Sequence, residues 1–375
     1  RDILPLNVSW AILLSNLIDA LQPFEGQELQ PGQWNAVVEQ AVADTIAVYT
    51  RTPAEQIRAD LTAMLDAFRD IAQGRTPVLP VARMDLGQYA PHMQAPHRMD
   101  LMVCSMQTDC AWQCNQKCLH CYAAHQPYGM APQLDTDQWM AVIQKCRDAG
   151  IPQLTFTGGE PTMRNDLVKL VRAAQWFVTR LNTNGRLLNA PLCRELYDAS
   201  LDAVQVTLYS ADPAVHNTLV GAPGFEDTVS GIRNAVAAGL NVSVNTPLCS
   251  LNRDYRATLE FVRSLGVRYA TCSGLIPAGG AVQKDSIATR LSTEELTAAL
   301  RSAKTWADHN AMELEFTSPG WLPEGTLQAL GFTLIPSCGA CLSNMAVAPD
   351  GTVLPCQSWL SGPGLGNLLR TPWHR

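Results

Sequence analysis

The chain has 375 residues, 47% hydrophobic and 16% charged, enough for two or three domains with substantial cores. A net charge of −7 gives neither the basic footprint of a nucleic-acid binder nor the cationic patch that an anionic membrane attracts. Twelve cysteines would read as a disulfide framework in a small secreted chain; in a mid-sized chain with local clusters they point to metal sites and a cytoplasmic setting.

The chain begins at Arg1 without a methionine, so a fragment or processed form is expected. The apolar stretch from Trp10 to Ile18 is short, is interrupted by Ser15 and Asn16 and has no basic run before it, so it is neither a signal peptide nor a membrane span. Leu6-Asn7 leads into a helix carrying Ile12, Leu14, Leu17, Ile18 and Leu21. Thr52-Pro53-Ala54-Glu55 predicts a capping box with proline at the first helical position, then Ile57, Leu61, Met64, Leu65 and Phe68 on one face and a stop at Gly74. These patterns give a helical domain over 1–75. Pro77, Pro80, Pro91 and Pro96 mark a linker over 76–97.

From residue 98 onward strands and helices alternate. Strands are predicted near Met99 to Met106, Gln153 to Thr157, Phe177 to Asn182, Ala203 to Tyr209, Asn241 to Pro247 and Val267 to Ser273. Helical patterns lie between them, such as Asp137 to Asp148, with Trp139, Val142, Ile143 and Cys146 on one face, and Tyr255 to Leu265. Such alternation builds a parallel sheet with right-handed crossovers. The fold class is therefore α/β, a partial (β/α)6 TIM-type barrel over 98–300, flanked by the helical N-terminal domain and a small cysteine-rich C-terminal extension over 301–375. Active groups in such barrels collect at the carboxyl ends of the strands.

Three features fall at those ends. The run Cys114-Asn-Gln-Lys-Cys118-Leu-His120-Cys121-Tyr122 follows the first strand. Its Cys-x3-Cys-x2-Cys spacing supplies three thiolates where a cubane cluster has four irons, leaving one iron open. A structural zinc completed by His120 or His125 is the alternative. Gly158-Gly159-Glu160-Pro161 ends the second strand; the glycines let backbone approach a ligand, and carbonyls beside Glu160 can accept from an ammonium group. Thr183-Asn184-Gly185 ends the third.

Together these residues resemble the radical S-adenosylmethionine superfamily, the likeness covering roughly residues 98 to 280. The resemblance implies that Cys114, Cys118 and Cys121 bind a 4Fe-4S cluster whose open iron is chelated by S-adenosylmethionine. It also implies that Gly158, Gly159 and Glu160 contact that cofactor, with Asn184 at the next strand end beside them, and that His120 packs near the adenine. Reductive cleavage then yields a 5′-deoxyadenosyl radical that takes hydrogen from an unactivated position, with an electron donor such as flavodoxin or ferredoxin as partner. No acid, base or nucleophile need be visible, so the catalytic residue stays unknown. Ser210 resembles a position that holds the cofactor's ribose or methionine end, and reads equally as the N-cap of the next helix. Asn245 and Thr246 close the fifth strand and are candidate cavity residues. His216 reads as a surface or loop-anchoring histidine.

The C-terminal pattern Cys338-x2-Cys341-x9-Gly351-x4-Cys356, with a hairpin turn at Asp350-Gly351, resembles the opening of a SPASM or twitch extension. Gly366-Asn367-Leu368 and Trp373 extend that likeness. It implies one auxiliary iron-sulfur cluster whose fourth position is open, filled by substrate, or supplied by Cys272 or a tail beyond Arg375; a zinc hairpin is the alternative. Cys104, Cys110, Cys146, Cys193 and Cys249 read as small buried hydrophobes. The N-terminal helices, with Ala59-Asp60 in the third, resemble part of the winged-helix peptide-recognition domain of the pyrroloquinoline-quinone chaperone type; a helical cap is the alternative. The chain thus reads as a peptide maturase. A tetrapyrrole or redox-cofactor biosynthesis enzyme and a non-enzymatic zinc or iron-sulfur binding module are the competing readings.

Overall fold

Asn7 starts the first helix by accepting the Trp10 N–H at 2.8 Å, one of the four amides a helix N-terminus leaves unpaired. The structure, a computed structural model, describes residues 4, 6–24, 27–79, 81, 88, 92–108 and 111–373, and it divides between Met93 and Gln94. The first unit holds α1 (Val8–Leu21), α2 (Pro31–Val48) and α3 (Ala54–Ala72). They close on Leu13, Leu17, Val37, Ala41, Ile57, Leu61 and Met64. Ile18, expected on the buried face of α1, is 40% exposed, because the face centres on Leu13 and Leu17. The expected capping box of α3 also fails: Pro53 is itself the N-cap, extended at ψ 144°, and no side chain caps the helix. Among the described residues no helix is long and apolar enough to cross a membrane. Pro80, Pro91 and Cys110 lie outside the described residues.

The second unit is built on β1 (Arg98–Cys104), β2 (Gln107–Thr108), β3 (Ala111–Trp112), β4 (Gln153–Gly158), β5 (Val178–Thr183), β6 (Ala203–Thr207), β7 (Asn241–Pro247), β8 (Tyr269–Ser273), β9 (Glu313–Phe316), β10 (Asn344–Val347), β11 (Thr352–Leu354) and β12 (Gly366–Asn367). Ten of these form one sheet in the order β12-β11-β10-β1-β4-β5-β6-β7-β8-β9, while β2 and β3 pair separately. The six expected strands are present, all parallel. A seventh, β9, extends the parallel run beyond β8. The C-terminal segment joins the other edge, since β10 lies parallel to β1 with Arg98 opposite Asn344, and β11 and β12 continue antiparallel. Gly351, at φ +85°, makes the expected turn between β10 and β11.

Parallel strands require crossovers, supplied by α4 (Thr136–Asp148), α5 (Leu167–Ala173), α6 (Ala190–Asp198), α7 (Pro213–Val220), α8 (Phe225–Ala237) and α9 (Tyr255–Ser264). Short α10 (Lys284–Ile287), α11 (Thr293–His309) and α12 (Glu324–Ala329) follow. Asp135 starts α4 with a reciprocal capping box to Gln138, and Trp139, Val142, Ile143 and Cys146 are its buried face, as expected. The two sheet faces differ in chemistry. Toward the helices lie Leu154, Phe156, Leu181, Val204, Val206, Val244 and Cys272, all buried in the main core. The opposite, inner face carries Thr155, Arg180, Asn182, Gln205, Asn245 and Thr271, at alternate positions on the same strands. A parallel sheet packed on both faces would be apolar throughout; this one lines a polar lumen.

Candidate active site

The cysteine loop crosses the carboxyl ends of the central strands between two apolar clusters. Cys114 and Cys121 pack with Met102, Met106, Ala123, Ala346 and Leu360, and Cys118 with Tyr209, Leu219, Val220 and Ala281. The three thiols lie close enough that charge on Cys121 disfavours ionisation of Cys114 and Cys118, and charge on Cys114 disfavours that of Cys118. Burial is the larger cause: it pushes Cys114 up to about 12 and raises Cys118 and Cys121 as well. These are therefore neutral thiols until a positive centre lies beside them. Among the described residues no three His, Cys, Asp or Glu side chains close on one point, as a single ion requires. A cubane makes a different demand, because each thiolate ligates its own iron. The donor set fits a cluster and gives the zinc alternative no tetrahedron: His125 is exposed at φ +59°, and His120 Nε2 lies 2.7 Å from Thr289 Oγ1.

That contact fixes the state of His120. The Thr289 hydroxyl donates to the Ser286 carbonyl at 2.7 Å, so the imidazole must donate through Nε2. Nδ1 is left buried and without a partner among the described residues. The ring sits 6.4 Å from that of Tyr209, and burial lowers its pKa to about 4.

Glu160 is 2% exposed. Its Oε1 accepts from Thr162 N–H at 3.0 Å and from the Thr162 and Thr183 hydroxyls at 2.5 and 2.6 Å. Among the described residues Oε2 accepts only the Asn184 N–H, at 2.8 Å, and so keeps acceptor capacity. Burial raises this carboxyl, opposed by those same donors. The main-chain carbonyl of Glu160 is engaged by Met163 N–H at 3.1 Å and the Cys104 thiol at 3.3 Å. Cys104 is thus more than a small hydrophobe: it pins the Gly-Gly-Glu turn. The two glycines allow that turn to abut β1. A Cβ at Gly158, φ +126°, would meet the Cys104 carbonyl oxygen at 2.5 Å, and one at Gly159 the Ser105 oxygen at 2.8 Å.

Other predicted residues are held nearby. Asn184 Nδ2 donates to Asn115 Oδ1 at 2.5 Å and Arg186 to the Asn115 carbonyl at 2.7 Å, tying the third strand end to the cysteine loop. Ser210 does not cap the next helix. Asp212 does, and the Ser210 hydroxyl accepts the Asp212 N–H at 3.0 Å. Thr246 is turned to the Leu208 carbonyl at 2.8 Å and closes a strand gap, whereas Asn245 Oδ1 faces the lumen and accepts from Thr271 at 2.9 Å. His216 is not at the surface. It is fully buried, its ring T-shaped to Tyr209 and Phe225, and Nδ1 accepts the Tyr209 N–H at 3.3 Å. Its pKa falls to about 4 because burial disfavours the cation, with Arg186 adding to the effect.

Sequence reasoning missed the cradle beneath the loop. Gly280 N–H donates to the Cys121 carbonyl at 2.8 Å and the Ser286 hydroxyl to the Leu119 carbonyl at 3.0 Å. Lys117 and Leu119 amides donate to the Val220 and Leu219 carbonyls at 2.9 and 2.8 Å. The Gly279-Gly280 pair after β8 was the only local signal. Of the C-terminal cysteines, Cys356 lies near Cys338, and Cys341, at φ +59°, donates its N–H to the Pro355 carbonyl at 3.0 Å. Cys272 is ruled out as their fourth ligand, since it lies in the helix-facing core with its thiol against the Glu315 carbonyl at 3.7 Å. Tyr122, beside Cys121, donates to Gln357 Oε1 at 3.4 Å and so links the two cysteine groups.

Residues 113–262 match the Radical SAM superfamily. The chain is 26% identical over 300 residues, 77% of each protein, to a PqqA peptide cyclase of Ruegeria pomeroyi. It is 29% identical over 216 residues, 54% of each, to an AdoMet-dependent heme synthase of Oleidesulfovibrio alaskensis. Among solved structures, Streptococcus suis SuiB bound to its precursor peptide SuiA superposes with a TM-score of 0.62 at 12% identity, over 98% of this chain and 81% of that one. Native anSMEcpe with bound AdoMet gives 0.59 at 16%, over 73% and 78%. These likenesses confirm the expected barrel-type fold. A radical SAM domain implies a 4Fe-4S cluster and S-adenosylmethionine. The protein therefore carries a radical SAM domain over residues 113–262.

Proposed function

We propose that this enzyme is a maturase that modifies a ribosomally made peptide. Cys114, Cys118 and Cys121 would hold the 4Fe-4S cluster, and Gly158, Gly159, Glu160, Asn184, Ser210 and His120 would receive S-adenosylmethionine. The observation that carries the reading is the setting of the three thiols, dry on two sides and beside the one Glu160 oxygen with spare acceptor capacity. Bound there, cluster and cofactor would supply one-electron cleavage of the sulfonium carbon–sulfur bond and hydrogen abstraction by the resulting carbon radical.

The chain's own residues do the rest. Glu160 Oε2 offers an acceptor to an ammonium group, and Ser210, accepting from Asp212, keeps its hydroxyl hydrogen for an acceptor. Asn184 and Arg186 hold the cysteine loop against β5, and the apolar clusters exclude water from the thiols. Cys338, Cys341 and Cys356 are proposed to bind one auxiliary iron-sulfur cluster whose fourth position is open, filled by substrate or supplied by a tail beyond Arg375. The setting is proposed as cytoplasmic, with a flavodoxin or ferredoxin as electron donor.

The peptide reading draws on the likeness to the PqqA peptide cyclase and to SuiB with its precursor peptide. Likeness to the AdoMet-dependent heme synthase favours a tetrapyrrole substrate as the second reading. Anaerobic reconstitution with reductant and S-adenosylmethionine tests the chemistry: 5′-deoxyadenosine is expected, and none from Cys114→Ala. An intact cluster with no product refutes it. A mass shift in a short peptide encoded beside the gene supports the first substrate; conversion of a tetrapyrrole with the peptide unchanged establishes the second.

A further inference from the structure

The inner face of β5 to β8 holds a directional hydrogen-bond chain. Gln205 Nε2 donates to Thr271 Oγ1 at 3.1 Å, and that hydroxyl donates onward to Asn245 Oδ1 at 2.9 Å. A hydroxyl has one hydrogen, so the chain runs one way and sets both amides. What it leaves over is Gln205 Oε1, an acceptor, and Asn245 Nδ2, a donor, neither with a partner among the described residues. Thr271, which orients them, is itself 3% exposed, while both amide side chains are half-buried in the lumen. In register with Gln205 on the neighbouring strand lies Asn182, whose Oδ1 is buried and unpaired. Buried polar atoms left without partners are rare enough to call for a ligand or water.

We infer that Gln205 and Asn245 form a main-chain-reading pair that fixes the backbone of one extended substrate residue beneath the radical site. Oε1 accepts its N–H and Nδ2 donates to its C=O. This rests on the peptide reading above and deepens it. One acceptor and one donor, held side by side on adjacent strands, complement the one donor and one acceptor every non-proline residue carries. Gln205 lies one step below Thr207 on the same strand face, and Thr207 stands directly opposite Asn245. It contributes no preference among side chains, because it reads only what all residues share. Thr271 acts as a positioning residue.

The test uses the anaerobically reconstituted full chain and a random-sequence pool of N-acetylated, C-amidated heptapeptides, with bound peptide counted by affinity-selection mass spectrometry. Gln205→Met and Asn245→Leu should each lower retention about tenfold, the equilibrium equivalent of one well-made hydrogen bond. Affinity for S-adenosylmethionine should stay unchanged. A backbone N-methylated pool should be retained as weakly by the unaltered protein, a readout that needs no variant to fold. If both pools bind alike, or the variants retain peptide normally, the pair does not read main chain and the inference falls while the peptide reading stands. If S-adenosylmethionine affinity drops with peptide retention, the pair belongs to the cofactor site and the inference falls. If the unaltered protein retains no peptide, both fall together.

Discussion

Gly279→Ala is the sharpest test of how the cysteine loop is seated. The residue sits at φ +57°, and an added Cβ would lie 2.4 Å from the Tyr122 carbonyl oxygen, 2.6 Å from that of Cys121 and 2.7 Å from that of Ala124. All three are backbone atoms, so no side chain can swing aside. The left-handed conformation costs alanine about 1–2 kcal/mol, and overpacking adds about 1–3 kcal/mol, for a total of about 2–5 kcal/mol. Gly150→Ala is the internal control: φ is +74° and nothing lies within 4 Å, so only the conformational cost applies. The gain from a stiffer unfolded chain is common to both variants and cancels. Urea denaturation of the metal-free chains should place Gly279→Ala about 1–3 kcal/mol below Gly150→Ala. After reconstitution only Gly279→Ala should bind less iron, because the Gly280–Cys121 hydrogen bond shifts with it. Equal destabilisation with equal iron content would refute the cradle.

Two further outcomes follow from buried groups. The pKa of His216 is depressed from 6.5 to about 4, so neutral histidine is what the fold accepts, and the unfolded chain binds more protons below 6.5. Its contribution is complete above 6.5 and is lost as pH falls through the window down to about 4. Between about pH 7.5 and about pH 5 the wild type should therefore lose about 2 kcal/mol more than His216→Gln; identical pH slopes in urea would exclude the histidine as the cause. For the C-terminal cysteines, Cys356→Ser should lower iron per chain while Cys272→Ser leaves it unchanged, since only the former lies by Cys338. Iron loss from the Cys272 variant, folded by circular dichroism, would place the fourth ligand inside the core after all.

What could be read from the sequence was what is written locally. Six strands, the apolar face of α4, the Asp350-Gly351 turn and the cysteine spacing each depend on a few nearby residues. Strand β9 escaped because Glu-Leu-Glu-Phe is only four residues long and carries two charged residues, a weak strand pattern. The pairing of β10 with β1 escaped because it joins residues some 245 positions apart, and parallel register leaves no local mark. At Ser210 and Asp212 two residues of capping type stood two positions apart, and Pro213 in the first turn decided for the one before it. The surface reading of His216 failed because periodicity does not distinguish a polar ring on the buried face of a short helix from one in solvent, whereas its anchoring of the Tyr209 N–H agrees with the other half of that reading.

The two halves of the inner sheet face solve opposite problems. Under the cysteine loop, Met102, Ala346 and Leu354 make it apolar, which raises the thiols and keeps water from them. Toward β7 and β8 the same face is amides and hydroxyls. A wholly apolar face could not orient a polar substrate, and a wholly polar one would leave the cluster site wet. The boundary runs between β1 and β5, where Glu160 and Asn184 lie. A carboxylate is most useful at such a boundary: burial makes it a strong acceptor, and four fixed donors keep it in place. The position of Glu160 is thus set less by the strand that carries it than by the change in solvent across the sheet it caps.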